Sequence, residues 1–134
     1  MEVSVDEYTS SSPITIDLNA NLEDAHKLMT KNGIRHLPVM DEGKVVGIVS
    51  ERDLMANYGK AWSDLMRVRN IMSASILVAR QNDDLGEVAF RLSKEKKGSA
   101  IILDDNDELY GIFTTTDALN ALVELLLPEN KYSR

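Results

Sequence analysis

The sequence predicts an α/β fold of the α+β type: two β-α-β-β-α repeats packed face to face with pseudo-two-fold symmetry. Three observations carry this. Gly47-Ile48-Val49-Ser50-Glu51-Arg52-Asp53 returns 64 positions later as Gly111-Ile112-Phe113-Thr114-Thr115-Thr116-Asp117. Each copy is a β-rich run ending in a hydroxyl residue, then two positions, then an aspartate that opens a helix. Each is preceded by a second β-rich run, Ile34 to Met40 and Ser99 to Leu103. Self-similarity at a fixed period sets the architecture before any single element does. Here it implies one ligand cleft per copy.

The elements follow in order. Ser10-Ser11-Ser12-Pro13 reads as a loop feeding a strand, Ile14-Thr15-Ile16. Leu22, Ala25, Leu28 and Met29 recur on one helical face, with Asn19 or Asn21 as the cap and Gly33 as the stop. Ile34 to Met40 is a strand, Asp41 to Lys44 a turn, Val45 to Val49 a strand, and Asp53 to about Tyr58 a helix. The second copy repeats the plan. Ile76 to Val78 is a strand, and Leu85, Val88, Ala89 and Leu92 form a helix face. Ser99 to Leu103 is a strand, Asp104 to Asp107 a turn, and Leu109 to Phe113 a strand. A last helix runs from Asp117 to about Leu127, stopped by Pro128. The connector, Gly59 to Asn70, holds the only tryptophan, Trp62. The expected division is 1–66 for the first repeat with its N-terminal segment and connector, and 67–134 for the second with its C-terminal helix.

Composition narrows the function. The 134 residues are 43% hydrophobic and 28% charged, as in a globular domain. A repeat of ~60 residues is marginal alone; stacked against each other, the two can share one core. The net charge of −7 argues against nucleic-acid binding, which calls for a basic footprint. There is no cysteine, which excludes disulfides, thiolate metal sites and cysteine nucleophiles. Met1-Glu2-Val3-Ser4 lacks the start of a secretory signal, and no apolar run approaches the ~20 residues of a membrane span. A cytoplasmic protein off the membrane is expected. No Ser/His/Asp order, Walker loop or G-x-G-x-x-G is present, so no enzymatic activity is expected. Glu23/Asp24 and Asp83/Asp84 read as acidic first turns of helices, and Asp104, Asp105 and Asp107 as a turn rather than a calcium loop. No metal site is expected. The methionines are expected mostly to fill the core.

The Ser/Thr-x-x-Asp elements admit two readings. As capping boxes, the hydroxyl caps the helix and the acid reaches back. As ligand sites, the unpaired N–H groups and the dipole of a helix N-terminus favour a phosphate. Ser50 or Thr114 would add a hydrogen bond, and the Asp53 or Asp117 carboxylate would accept from a ribose diol. The two roles can alternate, caps without ligand and contacts with it.

Gly33-Ile34-Arg35-His36-Leu37-Pro38-Val39-Met40-Asp41, followed by Gly47 to Leu54, resembles a cystathionine β-synthase (CBS) domain. Val68-Arg69-Asn70-Ile71-Met72-Ser73 resembles the opening of a second. The resemblance covers about Asp6 to Leu127 and implies a CBS pair, or Bateman module. It implies a regulatory module that takes an adenosine-type ligand in clefts between the repeats: AMP, ADP, ATP, S-adenosylmethionine, sometimes NAD or a cyclic dinucleotide. No cofactor is required. A homodimer and a regulated partner protein, not identified by the sequence, are also implied.

On the resemblance, adenine would lie against Ile14, Ile34 and Pro38 in copy one, and against Ile76 and Lys97 in copy two. Each cleft borrows from the partner repeat at Arg35-His36 or at Gly98-Ser99. The Thr114–Asp117 cleft would thus gain Arg35 or His36, and arginine suits bidentate phosphate contact. The Ser50–Asp53 cleft would gain Gly98 and Ser99, with Arg52 as its own cation. The former is expected to be the stronger phosphate site. Arg35 reads equally as a surface ion-pair residue and His36 as a packed structural one. Copy two departs from the pattern, with Lys96 for Gly33, Gly98 for Arg35 and Ile101 for Pro38. Copy one opens with Asp6-Glu7-Tyr8 in place of the usual motif, which bears on contacts near Ser11 and Ser12. The alternative function is a protein-interaction module without nucleotide, acting through dimerisation by an apolar helix that carries Leu119, Leu122, Val123 and Leu126.

Overall fold

A computed structural model of the chain describes residues 2–59 and 65–127. The chain forms two compact units, one of which is not continuous in sequence. One combines the N-terminal segment up to Ser12 with the chain from Leu77 onward; the other spans Pro13 to Ile76. Trp62 and Pro128 lie outside the described residues. Among the described residues, no helix is long and apolar enough to cross a membrane.

The Pro13–Ile76 unit contains β2 (Ile16–Asp17), α1 (Leu22–Asn32), β3 (His36–Asp41), β4 (Lys44–Ser50), α2 (Glu51–Ala56) and α3 (Val68–Ile71). Its sheet has the order β2-β3-β4, with β2 parallel and β4 antiparallel to β3. The other unit contains a 3₁₀ turn (Val5–Tyr8), β1 (Ser10–Ser11), β5 (Leu77–Arg80), α4 (Leu85–Glu95), β6 (Ser99–Leu103), β7 (Leu109–Thr114) and α5 (Thr115–Leu126). Its sheet has the order β1-β7-β6-β5. The β-α-β-β-α plan is therefore present twice, and a bulge falls at matching places, Val39/Met40 and Ile102/Leu103.

The helices start and stop for local reasons. Asn21 caps α1, its side chain accepting from the Asp24 N–H at 2.8 Å, and Gly33 ends it in the left-handed region. In α4 the cap is Asp84, and Lys96 ends the helix with φ +54°. A lysine thus holds a conformation that glycine adopts without steric cost. Leu22, Ala25 and Met29 bury one face of α1, and Leu85, Val88 and Leu92 one face of α4, each against its own core.

Several expectations need correction. Ile14 and Thr15 are not in a strand; β2 begins at Ile16. The cause lies on the partner strand. In the parallel β2–β3 ladder, Leu18 N–H donates to the Met40 carbonyl at 3.0 Å. One step earlier the same pattern requires an N–H from Pro38 to Ile14, and proline has none. The second repeat has Ile101 there, and its ladder includes the missing pair, Val78 with Ile101. Ile34 and Arg35 precede β3, and Ile76 precedes β5. The helices after β4 and β7 begin two residues before the aspartates, at Glu51 and Thr115. Met55 is half exposed rather than in the core.

Three short elements were not foreseen: the 3₁₀ turn, β1 and α3. They complete the units. Val5 and Tyr8 are buried in the core with Phe113, and Val68 in the core with Leu37 and Val49. β1 pairs with β7, Ser10 opposite Ile112, and Ser73 bridges Ile48 on β4. At each contact the sheet presents a glycine. A Cβ on Gly111 would lie 2.4 Å from the Ser10 carbonyl oxygen, and one on Gly47 would lie 2.8 Å from that of Ser73.

Gly111→Ala and Gly47→Ala should each destabilise the protein by about 1–3 kcal/mol through overpacking against backbone. Lys96→Gly should stabilise it by up to about 1 kcal/mol by relieving a left-handed non-glycine residue. Denaturant unfolding with an unchanged slope checks all three.

Candidate functional site

The site is built twice, where β4 enters α2 and where β7 enters α5. In the first, the Ser50 Oγ accepts from the Asp53 N–H at 3.1 Å, and the Asp53 Oδ2 accepts from the Ser50 N–H at 2.8 Å. In the second, the Thr114 Oγ1 accepts from the Asp117 N–H at 3.3 Å, and Asp117 Oδ2 accepts from the Thr114 N–H at 2.9 Å and its hydroxyl at 3.1 Å. Both are reciprocal capping boxes. All four side chains are half-buried.

The residue just before β3 or β6 adds a further bond to each box. Glu51 N–H donates to the Arg35 carbonyl at 2.9 Å, and Thr115 N–H to the Gly98 carbonyl at 3.1 Å. Thr115 Oγ1 also donates to Gly98 at 3.2 Å, a contact with no counterpart in the sequence pattern. Of the first three N–H groups of each helix, the first and third are thus occupied. Among the described residues, the second, from Arg52 or Thr116, meets no protein acceptor. Each junction therefore offers one free helix-terminal donor beside a carboxylate.

The register brings further residues to these junctions. His36 pairs with Ser50 across β3 and β4, and Ser99 pairs with Thr114 across β6 and β7. Ser99 is the one buried polar residue among those described. Pro38 is buried, Ile34, Ile76 and Lys97 are half-buried, and Ile14, Arg35, Arg52 and Gly98 are exposed. Arg35 makes no ion pair among the described residues. Ser12 N–H donates to the Tyr110 carbonyl at 3.0 Å, so the segment around Ser11 and Ser12 runs beside β7. Away from both boxes, an open groove of about 460 Å³ is lined by residues including Ile16, Asp24, Lys27, Leu28 and Lys31. It shares no residue with either box, and no motif marked it.

Burial pushes the His36 imidazole below the usual histidine range; the Asp53 carboxylate opposes this and the Arg35 guanidinium adds to it. Burial therefore favours the neutral ring more in the folded state than in the unfolded chain. The unfolded chain takes up a proton first as pH falls, so stability is full above about 6.5 and is lost below it.

The CBS-domain family model matches residues 5–60 and 68–124, and the chain belongs to the CBS-domain family. It is 28% identical over 127 residues to protein MJ1225 of Methanocaldococcus jannaschii, covering 86% of this chain and 45% of that protein. The chain thus spans less than half the length of that relative. Among solved structures, the CBS domain pair of protein MJ0100, in complex with 5′-methylthioadenosine and S-adenosyl-L-methionine, has a TM-score of 0.84 at 27% identity, covering 93% of this chain and 99% of that one. CBSX2 in complex with AMP has a TM-score of 0.76 at 25% identity, covering 91% and 97%.

Thr114→Ala and Ser50→Ala should each cost about 0.5–2 kcal/mol through loss of a cap, read by chemical denaturation. The wild-type stability should fall as pH drops below about 6.5, and His36→Gln should flatten that fall.

Proposed function

We propose that this chain is a regulatory module that binds an adenosine-containing ligand at its strand–helix junctions and transmits the binding to a partner protein or an oligomer. The observation that carries the reading is the repeated junction: a free second N–H, a hydroxyl and a half-buried carboxylate, built alike in both units. The N–H of Thr116 suits a phosphate oxygen, and the Asp117 carboxylate suits a ribose diol once it leaves the Thr114 N–H. The Thr114–Asp117 junction is the main site, because α5 runs to Leu126 while α2 ends at Ala56. The AMP complex of CBSX2 and the S-adenosylmethionine and methylthioadenosine complexes of MJ0100 support the ligand class. The module itself performs no catalysis in this reading. Binding shifts the output only to the extent that the ligand prefers one arrangement of the chain.

A second reading, an interaction module that dimerises without nucleotide, draws on α5. Leu119, Leu122, Val123 and Leu126 are 40–72% exposed.

Thermal unfolding with AMP, ADP, ATP, S-adenosylmethionine, methylthioadenosine or NAD separates the two. A ligand at 100 times its Kd adds about 2.7 kcal/mol to the folded state, roughly a 5–15 °C rise in Tm for a domain of this size. One ligand should give that rise, Asp117→Ala should abolish it and Asp53→Ala should retain it. No rise with any of them overturns the ligand-sensing reading in favour of the second.

A further inference from the structure

The two junctions differ in one chemical respect. The residue facing the cap hydroxyl across the sheet is titratable in the first repeat, His36, and not in the second, Ser99. The helix beyond the histidine is also the less secure. α2 has six residues and one fully buried side chain, Leu54, and a helix that short does not persist without tertiary support. Its start rests on three hydrogen bonds, two of them at Ser50, the residue opposite His36 in the β3–β4 ladder. Ser50 and Asp53 exchange two, and the third runs from Glu51 N–H to the carbonyl of Arg35, the residue before His36.

We propose that this junction is a proton-operated latch: when His36 takes up a proton, the start of α2 comes free while the β3–β4 pairing beneath it stays intact. A positive ring there faces two repulsions, from the Arg35 guanidinium and from the positive end of the α2 dipole. It has one attraction, the Asp53 carboxylate, and answering it draws Asp53 away from the Ser50 N–H. The charges acting on the ring are those of Asp53, from α2, and Arg35, from the segment before β3. The other charged residues of α2, Glu51 and Arg52, are exposed. β4 contributes Ser50, and its one titratable group, Lys44, sits at the far end opposite Asp41. The titratable groups of α1 (Glu23, Asp24, His26, Lys27 and Lys31) are not among the charges that act on the ring. Leu37, Val39 and Val49 are fully buried and hold the strands together when the helix start opens. α5, with Ser99 at the matching place, has no such control.

Amide hydrogen exchange on the whole chain, expressed as protection factors between pH 7.5 and 5, tests this with an internal control. Protection of the Glu51 and Asp53 amides should fall by up to about tenfold per pH unit as pH drops below about 6.5. The Thr115 and Asp117 amides should not change. His36→Gln should abolish the fall, as should His36→Ser, which installs the second repeat's residue. The latch is overturned if the α2 and α5 amides lose protection together, if α2 shows no pH response, or if either variant keeps the wild-type response.

Discussion

Each unit depends on one strand position that carries no side chain. Gly47 and Gly111 leave the sheet surface low enough for another stretch of backbone to lie against it, and any Cβ would meet that backbone well inside contact distance. The residues that arrive, Met72–Ser73 and Thr9–Ser10, are the ends of short segments whose other side chains fill the core. Without Val5 and Tyr8, the sheet of β5, β6 and β7 would lose part of its apolar packing, and without Val68 so would that of β2, β3 and β4. The chain therefore cannot be cut at the repeat boundary into two complete packing units. The N-terminal segment packs with the second repeat's elements, and the second repeat's opening packs with the first's.

The same economy governs the junctions. A hydroxyl and an aspartate three residues apart close a helix start by satisfying two donors. They also place a half-buried carboxylate and one unclaimed N–H at a helix terminus. Cap and ligand would compete for the same oxygen, because Asp117 Oδ2 accepts from the Thr114 N–H. In the proposed reading, ligand binding there would cost a cap and reward an anion or a diol, a modest net change that would suit a sensor. The two copies are tuned apart. Thr114 adds a hydroxyl-to-carboxylate bond, and the Thr115 hydroxyl donates to the Gly98 carbonyl, whereas the first junction relies on Ser50, opposite His36 in the ladder.

Much of this was legible in the residues. The repeat, the order of elements, the α1 and α4 core faces, the Asn21 cap and the Gly33 stop all follow from interactions within a few positions. So does the capping-box alternative at both Ser/Thr-x-x-Asp elements. The strand expected from Ile14 to Ile16 starts only at Ile16, for a reason visible in the sequence only once its partner is known: Pro38 has no N–H to give to Ile14. The substitution of Ile101 for Pro38 marked that difference, and the longer β5 is its consequence.

Hydrophobic periodicity, capping chemistry and glycine at a left-handed stop act over one turn of helix or one pair of strands, so the sequence by itself determined the element types and the content of both junctions. The partnership of Ser10 with Ile112, the burial of Tyr8 beside Phe113 and the opposition of His36 to Ser50 were decided only by the tertiary structure. A two-residue strand such as β1 carries no period to detect. Its stability comes from a distant glycine and a core assembled from remote parts of the chain, and such energies exist only after the chain has folded.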